Sequence, residues 1–195
     1  MNVCLIGNSL TNLVLAKILA NKNIKVTIFY EPNRKNKFFS RTIGISKNNY
    51  DFFTDQVLDI QKISWPIKSI KVFNELSLED ELLNFGVGNS KLLLIVKYNE
   101  LFKLLNKNVS NNKYIKKCKI KNKSFYDTIL KNNQFNFIVN SDIENKISKE
   151  IFFKKIKKDY KSTAYTTLIQ HDECINNQAI QIFTKKGPLA FLPCS

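Results

Sequence analysis

The chain has 195 residues, 44% of them apolar and 24% charged. That balance excludes intrinsic disorder, which needs far less hydrophobicity, and a multispanning membrane protein, which needs far more. A net charge of +15 raises nucleic acid or an anionic membrane surface as partners, but lysine is spread along the whole chain beside 25 asparagines, as compositional drift gives, whereas a polyanion site wants clustered charge.

A chain this long buries roughly 70% of its unfolded surface and needs no metal or disulfide staple. The four cysteines, Cys4, Cys118, Cys174 and Cys194, form no C-x-x-C pair, and His171 is the only histidine. No metal site is expected, and His171 reads as a surface or strand histidine. With no secretory apolar region and no apolar run of about 18 residues, the sequence reads as cytoplasmic with reduced thiols.

In chain order, Asn2 to Ile6 is an apolar run ending at Gly7-Asn8-Ser9, the pattern of a buried parallel strand entering a tight turn. Apolar residues from Leu10 to Ala20 cover most of a helix circumference, and Asn21-Lys22-Asn23 ends it. A second strand, Ile24 to Tyr30, stops at Glu31-Pro32, completing a βαβ unit. A polar loop, Asn33 to Ser40, is followed by Arg41 to Ser46 and a helix over Lys47 to Thr54. Strands are predicted at Ile67 to Phe73, after the breaker Trp65-Pro66, and at Leu92 to Val96. A short helix is expected at Asn99 to Leu105, a basic edge strand at Tyr114 to Ile120, and a strand at Phe135 to Asn140. Ser162 to Ile169, Gln178 to Phe183 and Leu189 to Leu192 read as antiparallel strands, with a turn at Lys186-Gly187-Pro188. Tyr160 and Tyr165 are assigned to core packing in preference to a substrate-facing role.

A strand, turn, helix and strand with an acid closing the second strand is the dinucleotide-binding arrangement. In it, amides at the helix start hold a pyrophosphate and the acid accepts from ribose hydroxyls. Glu31 stands about 20 residues past the turn, as that geometry asks. Mapped on G-x-G-x-x-G, the sequence keeps Gly7 but has Ser9 and Asn12 at the other two positions. The other reading is an ordinary βαβ unit with Glu31 as a solvated strand end. If the two side chains obstruct phosphate, replacing Ser9 and Asn12 by Gly should improve binding.

Phe183-Thr184-Lys185-Lys186-Gly187-Pro188-Leu189-Ala190-Phe191-Leu192-Pro193, preceded by Ala179, resembles the F-T-x-x-G-P-L-A-x-L-P segment of the flavin-dependent aromatic hydroxylases of ubiquinone biosynthesis. Arg41 to Ser46 is similar to their R-x-x-A-L-S stretch, and Trp65 to Val72 to their P-I-x-x-I-x-V strand. Phe137 to Asp142 resembles the strand entering their A-D-G motif, and Tyr160 with Ala164 their Y-x-x-x-A. The G-P-L-A-x-L-P match is the specific one; the others add collinear order over nearly the whole chain.

The resemblance implies an α/β fold: a Rossmann-like FAD-binding βαβ domain interleaved with a β-rich antiparallel substrate domain, C-terminally truncated. In one unit over 1–195, residues 1–75 and about 90–160 would form the nucleotide-binding portion, and about 76–90 and 161–195 the substrate portion. Gly7, Ser9 and Asn12 would sit against the FAD pyrophosphate, Glu31 on the adenosine ribose, Arg41 beside the cofactor and Asp142 at the acidic position of A-D-G. NAD(P)H would be the reductant, O2 the co-substrate and a polyprenyl phenol the substrate. Such chemistry asks position and dryness of the protein, and no catalytic residue is assigned. Ser141 and Ile143 replace the Ala and Gly of A-D-G. The family's later G-D motif is absent from this sequence, so a complementary C-terminal polypeptide or a biosynthetic complex is an expected partner, with peripheral membrane contact and no specific nucleic acid. Two readings stand beside this one: a non-catalytic relative with the same fold, and a basic module for nucleic acid or a membrane surface.

Overall fold

A computed structural model describes residues 1–32, 41–86, 91–122, 124–131, 133–151, 156, 158–172 and 176–194. The predicted loop Asn33 to Ser40 and Cys174 lie outside the described residues. The fold is mixed α/β, with one parallel sheet, one mixed sheet and one antiparallel sheet. The chain forms two compact units, Met1–Asn36 with Phe102–Tyr165, and Lys37–Leu101 with Thr166–Ser195. These boundaries group residues 37–75 with 76–101, where the sequence-based division grouped 1–75 with about 90–160.

The first unit holds four parallel strands in the order β8-β2-β1-β9. They are β1 (Asn2–Ile6), β2 (Lys25–Tyr30), β8 (Ile115–Lys119) and β9 (Phe137–Asn140). β1 continues into α1 (Leu10–Asn21), which packs on β1 and β2. Leu13, Ala16 and Ala20 are buried, at the three- and four-residue spacing of one helix stripe. Alternation along the strands assigns Val3, Leu5, Val26 and Ile28, all buried, to one face of the sheet. Cys4 and Ile6 belong to the other face. There they form a core with Tyr126 and Ile129 of α4 (Phe125–Lys131) and Ile147 of α5 (Lys146–Ile151), against which Phe29, Phe125, Phe135 and Ile138 pack. Each fully buried Leu or Ile in these layers contributes roughly 1.5–3 kcal/mol.

The second unit carries two sheets. In one, β7 (Leu93–Lys97) lies antiparallel between β3 (Thr42–Ser46) and β4 (Ser64–Ile67). In the other, β5 (Ser69–Asn74) runs parallel to β10 (Gln178–Thr184) and antiparallel to β6 (Ser77–Phe85), and β10 turns back into β11 (Gly187–Phe191). Ile67, Ile95 and Ala179 are the buried centre, with Trp65, Ile70, Leu93 and Cys194 packed on it. α2 (Lys47–Gln56) follows β3, with Ser46 as its N-cap. α3 (Tyr98–Ser110), whose residues from Phe102 onward belong to the first unit, extends past the predicted Leu105 and buries Leu101, Leu105 and Val109 at four-residue spacing.

Several expectations are corrected. Trp65-Pro66, read as a breaker, lies inside β4, which as an edge strand tolerates a proline without a ladder N–H. Arg41 to Ser46 contains a strand, β3. Ser162 to Ile169 forms no strand and is exposed throughout, because strand-favouring residues gain nothing without a partner strand. Tyr160 and Tyr165 are 74% and 90% exposed, so they do not pack in a core. β6, α4 and α5 carry no expectation from the sequence. His171 is at the surface, as predicted. No described helix is long and apolar enough to cross a membrane, and no described group of His, Cys, Asp and Glu could hold a metal ion.

Candidate nucleotide-binding site

The parallel sheet places the chain reversal of a doubly wound fold between β1 and β9. From β1 the chain builds outward through β2 to β8, then returns to add β9 on the opposite side of β1. In such sheets the crevice outside the carboxyl ends of the two strands flanking the reversal receives ligands. Here those ends carry Gly7-Asn8-Ser9 and Ser141-Asp142.

Gly7 has φ +106°, a conformation that side chains oppose. Its amide donates to Phe29 O at 2.8 Å, holding the turn against β2. A Cβ on Gly7 would stand 3.1 Å from Ser141 Oγ and 3.4 Å from Asp142 Cβ. Ser9 is the N-cap of α1: its hydroxyl accepts from Asn12 N at 3.2 Å and lies 2.7 Å from Ser141 Oγ. The next two amides, of Leu10 and Thr11, have no intrahelical acceptor, as at every helix start, and no acidic residue occupies the first turn. They are donors suited to an anion.

Asn12 is fully buried, and its side-chain amide donates to Ile6 O at 2.9 Å and Gly7 O at 2.8 Å. It occupies the position where a glycine would let helix and strand approach, and it braces the carbonyls of the turn instead. Its Oδ1 is buried with no hydrogen-bond partner among the described residues. Glu31, at the end of β2, is exposed and accepts from Tyr126 Oη at 2.8 Å.

After β9, Asn140 and Asn145 exchange side-chain amide bonds of 3.1 and 2.8 Å. Asn140 also accepts from Asp142 N at 3.1 Å, and Ser148 Oγ donates to Asp142 O at 2.6 Å. Asp142 Oδ1 in turn accepts from Glu144 N at 2.9 Å, so this carboxylate shapes its own turn. On β8, Lys117 Nζ donates to Asn8 Oδ1 at 3.1 Å and to Asn106 Oδ1 of α3, and lies 5.0 Å from the centroid of the Tyr30 ring. Burial lowers the pKa of this ammonium below that of an ordinary lysine.

Gly7, Ser9, Asn12, Glu31 and Asp142 thus share the carboxyl edge of one sheet. Arg41 lies in the other unit, just before β3, where its carbonyl accepts from Tyr98 N at 2.8 Å. The sequence reading missed Ser141 as a hydroxyl partner, Asn8, Lys117, Tyr126 and the Asn140, Asn145, Ser148 set. A lysine that shares its strand with Lys116 and Lys119 gives no sign of which one turns inward, and the polar set joins residues that no motif links.

The chemistry on this edge fits the ADP part of a dinucleotide: a tight turn, amides without helical acceptors, two hydroxyls and an ammonium for phosphate oxygens, and a carboxylate beyond β2 for ribose hydroxyls. The fit differs from the glycine-rich form in that Ser9 and Asn12 satisfy the turn internally.

No family model and no curated protein matches the chain. Solved structures do. PqsL of Pseudomonas aeruginosa in complex with 2-aminobenzoylacetate matches with TM-score 0.50 and 11% identity, over 61% of this chain and 33% of that one. The same protein is described as "a probable FAD-dependent monooxygenase". The p-nitrophenol 4-monooxygenase PnpA of Pseudomonas putida DLL-E4 matches with TM-score 0.50 and 10% identity, over 60% of this chain and 31% of that one. The chain spans about a third of the length of these proteins, and over about three-fifths of its own length it shares their fold.

Proposed function

We propose that the chain is a FAD-binding unit of a flavin-dependent monooxygenase acting on an aromatic substrate. The observation that carries the reading is the four-stranded parallel sheet whose reversal brings Gly7, the start of α1 and the β9 turn to one edge, with Glu31 beyond the neighbouring strand. The fold likeness to monooxygenases supports it. FAD supplies the oxygen-activating redox chemistry when bound, with NAD(P)H as reductant. The chain's own part is to bind: Leu10 and Thr11 amides and the Ser9 hydroxyl toward the diphosphate, Glu31 toward the ribose.

The finer reading is hydroxylation of a polyprenyl phenol, as in ubiquinone biosynthesis. It rests on the segment Gly187-Pro188-Leu189-Ala190-Phe191-Leu192-Pro193, whose first five residues form β11. Hydroxylation is proposed for a protein that also contains what the longer monooxygenases add to this third of their length. A second reading, a relative that keeps the fold without cofactor, draws support from the internally satisfied Ser9 and Asn12. Titrating the purified chain with FAD and following flavin fluorescence separates the two. Saturable quenching at one equivalent is expected; unchanged fluorescence would leave the cofactor-free reading.

A further inference from the structure

The net charge of +15 is not shared between the two compact units. The first, Met1–Asn36 with Phe102–Tyr165, holds 21 of the Lys and Arg and six of the Asp and Glu, whereas the second holds ten of each and is neutral. Lysine is spread along the sequence, but its excess over acid is gathered in one body, which uniform compositional drift does not give.

Within that unit the charge is also polarised along the parallel sheet. Glu31, Asp142 and Glu144, half of its acids, follow the carboxyl ends of β2 and β9. The segments that lead into β1, β2, β8 and β9, residues 1–4, 22–27, 109–116 and 129–138, lie at the opposite, amino edge. They contain no acid and five lysines, Lys22, Lys25, Lys113, Lys116 and Lys131. Lys25, Lys113 and Lys116 line one recess of about 240 Å³ there with Asn2, Tyr114 and Phe135. Lys116 stands opposite Thr27 in the ladder, so it shares a face with Lys25, two residues before Thr27. None of these three ammonium groups has a hydrogen bond or ion pair among the described residues, and Lys113 lies 5.3 Å from the centroid of the Tyr114 ring. Lysine on an edge strand such as β8 is ordinary protection against pairing, but Lys25 stands on an inner strand and Lys113 in a turn.

The apolar neighbours of the recess point to the kind of anionic partner. Phe137 and Met1 are 60% and 61% exposed, and the residues next to them are joined, Asn136 N donating to Asn2 O at 2.9 Å. Cations beside exposed apolar side chains suit an anionic bilayer, whose headgroups take the ammonium groups while the apolar side chains enter the acyl boundary. A nucleic-acid backbone would use the lysines and leave Phe137 and Met1 without a partner, and these segments carry no Arg for reading base edges. We propose that the amino edge of the parallel sheet docks on an anionic lipid bilayer. In that pose the carboxyl edge, with its acids and the candidate nucleotide site, points away from the lipid. The docking does not depend on the flavin reading.

The test is sedimentation of the purified chain with vesicles of phosphatidylcholine alone and of phosphatidylcholine with phosphatidylserine, with poly(U) RNA as a competing polyanion. Wild type is expected to bind only the phosphatidylserine vesicles, less as salt is raised. Lys25→Gln/Lys113→Gln/Lys116→Gln should lower that binding tenfold or more. Lys119→Gln/Lys121→Gln/Lys149→Gln, which removes the same charge at the carboxyl end of β8 and on α5, should lower it less than threefold, and both triple variants should melt near wild type. Phe137→Ser should weaken vesicle binding and leave poly(U) binding unchanged. Equal losses in the two triple variants would overturn the docking edge, as would binding to phosphatidylcholine as strong as to the mixed vesicles, or no vesicle binding by wild type. Release from the vesicles by poly(U), with Phe137→Ser bound to them as well as wild type, would assign the surface to nucleic acid and overturn the bilayer.

Discussion

Ser9 and Ser141, 132 residues apart, join their hydroxyls across 2.7 Å and so tie the turn after β1 to the turn after β9. The link lies at the chain reversal, where the candidate ligand crevice opens. Ser9 does two things there, because the same oxygen caps α1 through Asn12 N.

Removing one hydroxyl at a time separates those roles. Ser141→Ala loses the bond to Ser9 and a longer one of 3.5 Å to Ile6 O, and should cost about 1 kcal/mol. Ser9→Ala loses the bond between the two hydroxyls and the cap together and should cost about 1.5–3 kcal/mol. Urea denaturation measures both, and equal costs would contradict the dual role.

Asn12→Gly should not behave as the opening of a phosphate site. The side chain points to the carbonyls of Ile6 and Gly7, and its removal takes a donor from both, leaving Ile6 O to Ser141 alone, and puts a glycine within a helix. We expect a loss of about 2–4 kcal/mol, read from the denaturation midpoint. The glycine-for-side-chain reasoning drawn from the fingerprint is therefore not expected to hold at Asn12. An Asn12→Gly chain as stable as wild type and tighter for FAD would reverse that conclusion.

Two glycines of the second unit give opposite expectations. Gly86 has φ +123°, and a Cβ there would stand 2.5 Å from Lys68 O. Backbone cannot yield as a flexible side chain does, so Gly86→Ala should cost about 2–4 kcal/mol. At Gly44 the nearest atom is the mobile Leu93 Cδ1 at 3.3 Å, and Gly44→Ala should stay within about 1 kcal/mol of wild type. Thermal melts of the pair test the contrast, and similar shifts would contradict it.

Burial pushes the Cys4 thiol up to about 12 from 9.0. Between those values the folded chain keeps the thiol proton that the unfolded chain has released. This contribution to stability is therefore full below pH 9 and is lost as pH rises toward 12. The loss is on the order of 1.4 kcal/mol per pH unit. Comparing urea midpoints of wild type and Cys4→Ala from pH 8 to 10.5 isolates it: the gap between them should narrow above pH 9. A constant gap would contradict the assignment.

The first 31 residues were legible because everything that specifies them is local: an apolar strand, a turn glycine, an apolar helix and a strand ending in an acid. β7, β8, β9 and the β10–β11 hairpin were legible on the same ground. β6, with the sequence Ser77-Leu78-Glu79-Asp80-Glu81-Leu82-Leu83-Asn84-Phe85, was not, since its charges break alternation and its fold depends on pairing with β5. Ser162 to Ile169 shows the reverse case, strand propensity without a neighbour to pair. In the site, Gly7 and Glu31 follow from spacing, whereas Lys117 and Ser141 reach the turn only through sheet order, a long-range property that spacing does not encode.

Recognition of the ADP part of FAD is the claim on which the proposed function depends. Riboflavin shares the isoalloxazine ring but carries neither phosphate nor adenosine, so calorimetric titration of the wild-type chain with FAD and with riboflavin isolates that recognition, and Glu31→Ala probes the ribose contact. The account predicts one-to-one FAD binding, far weaker or undetectable riboflavin binding, and a loss of roughly 1.5–3 kcal/mol for FAD in Glu31→Ala. Equal affinity for the two flavins, or no binding of FAD, would contradict it.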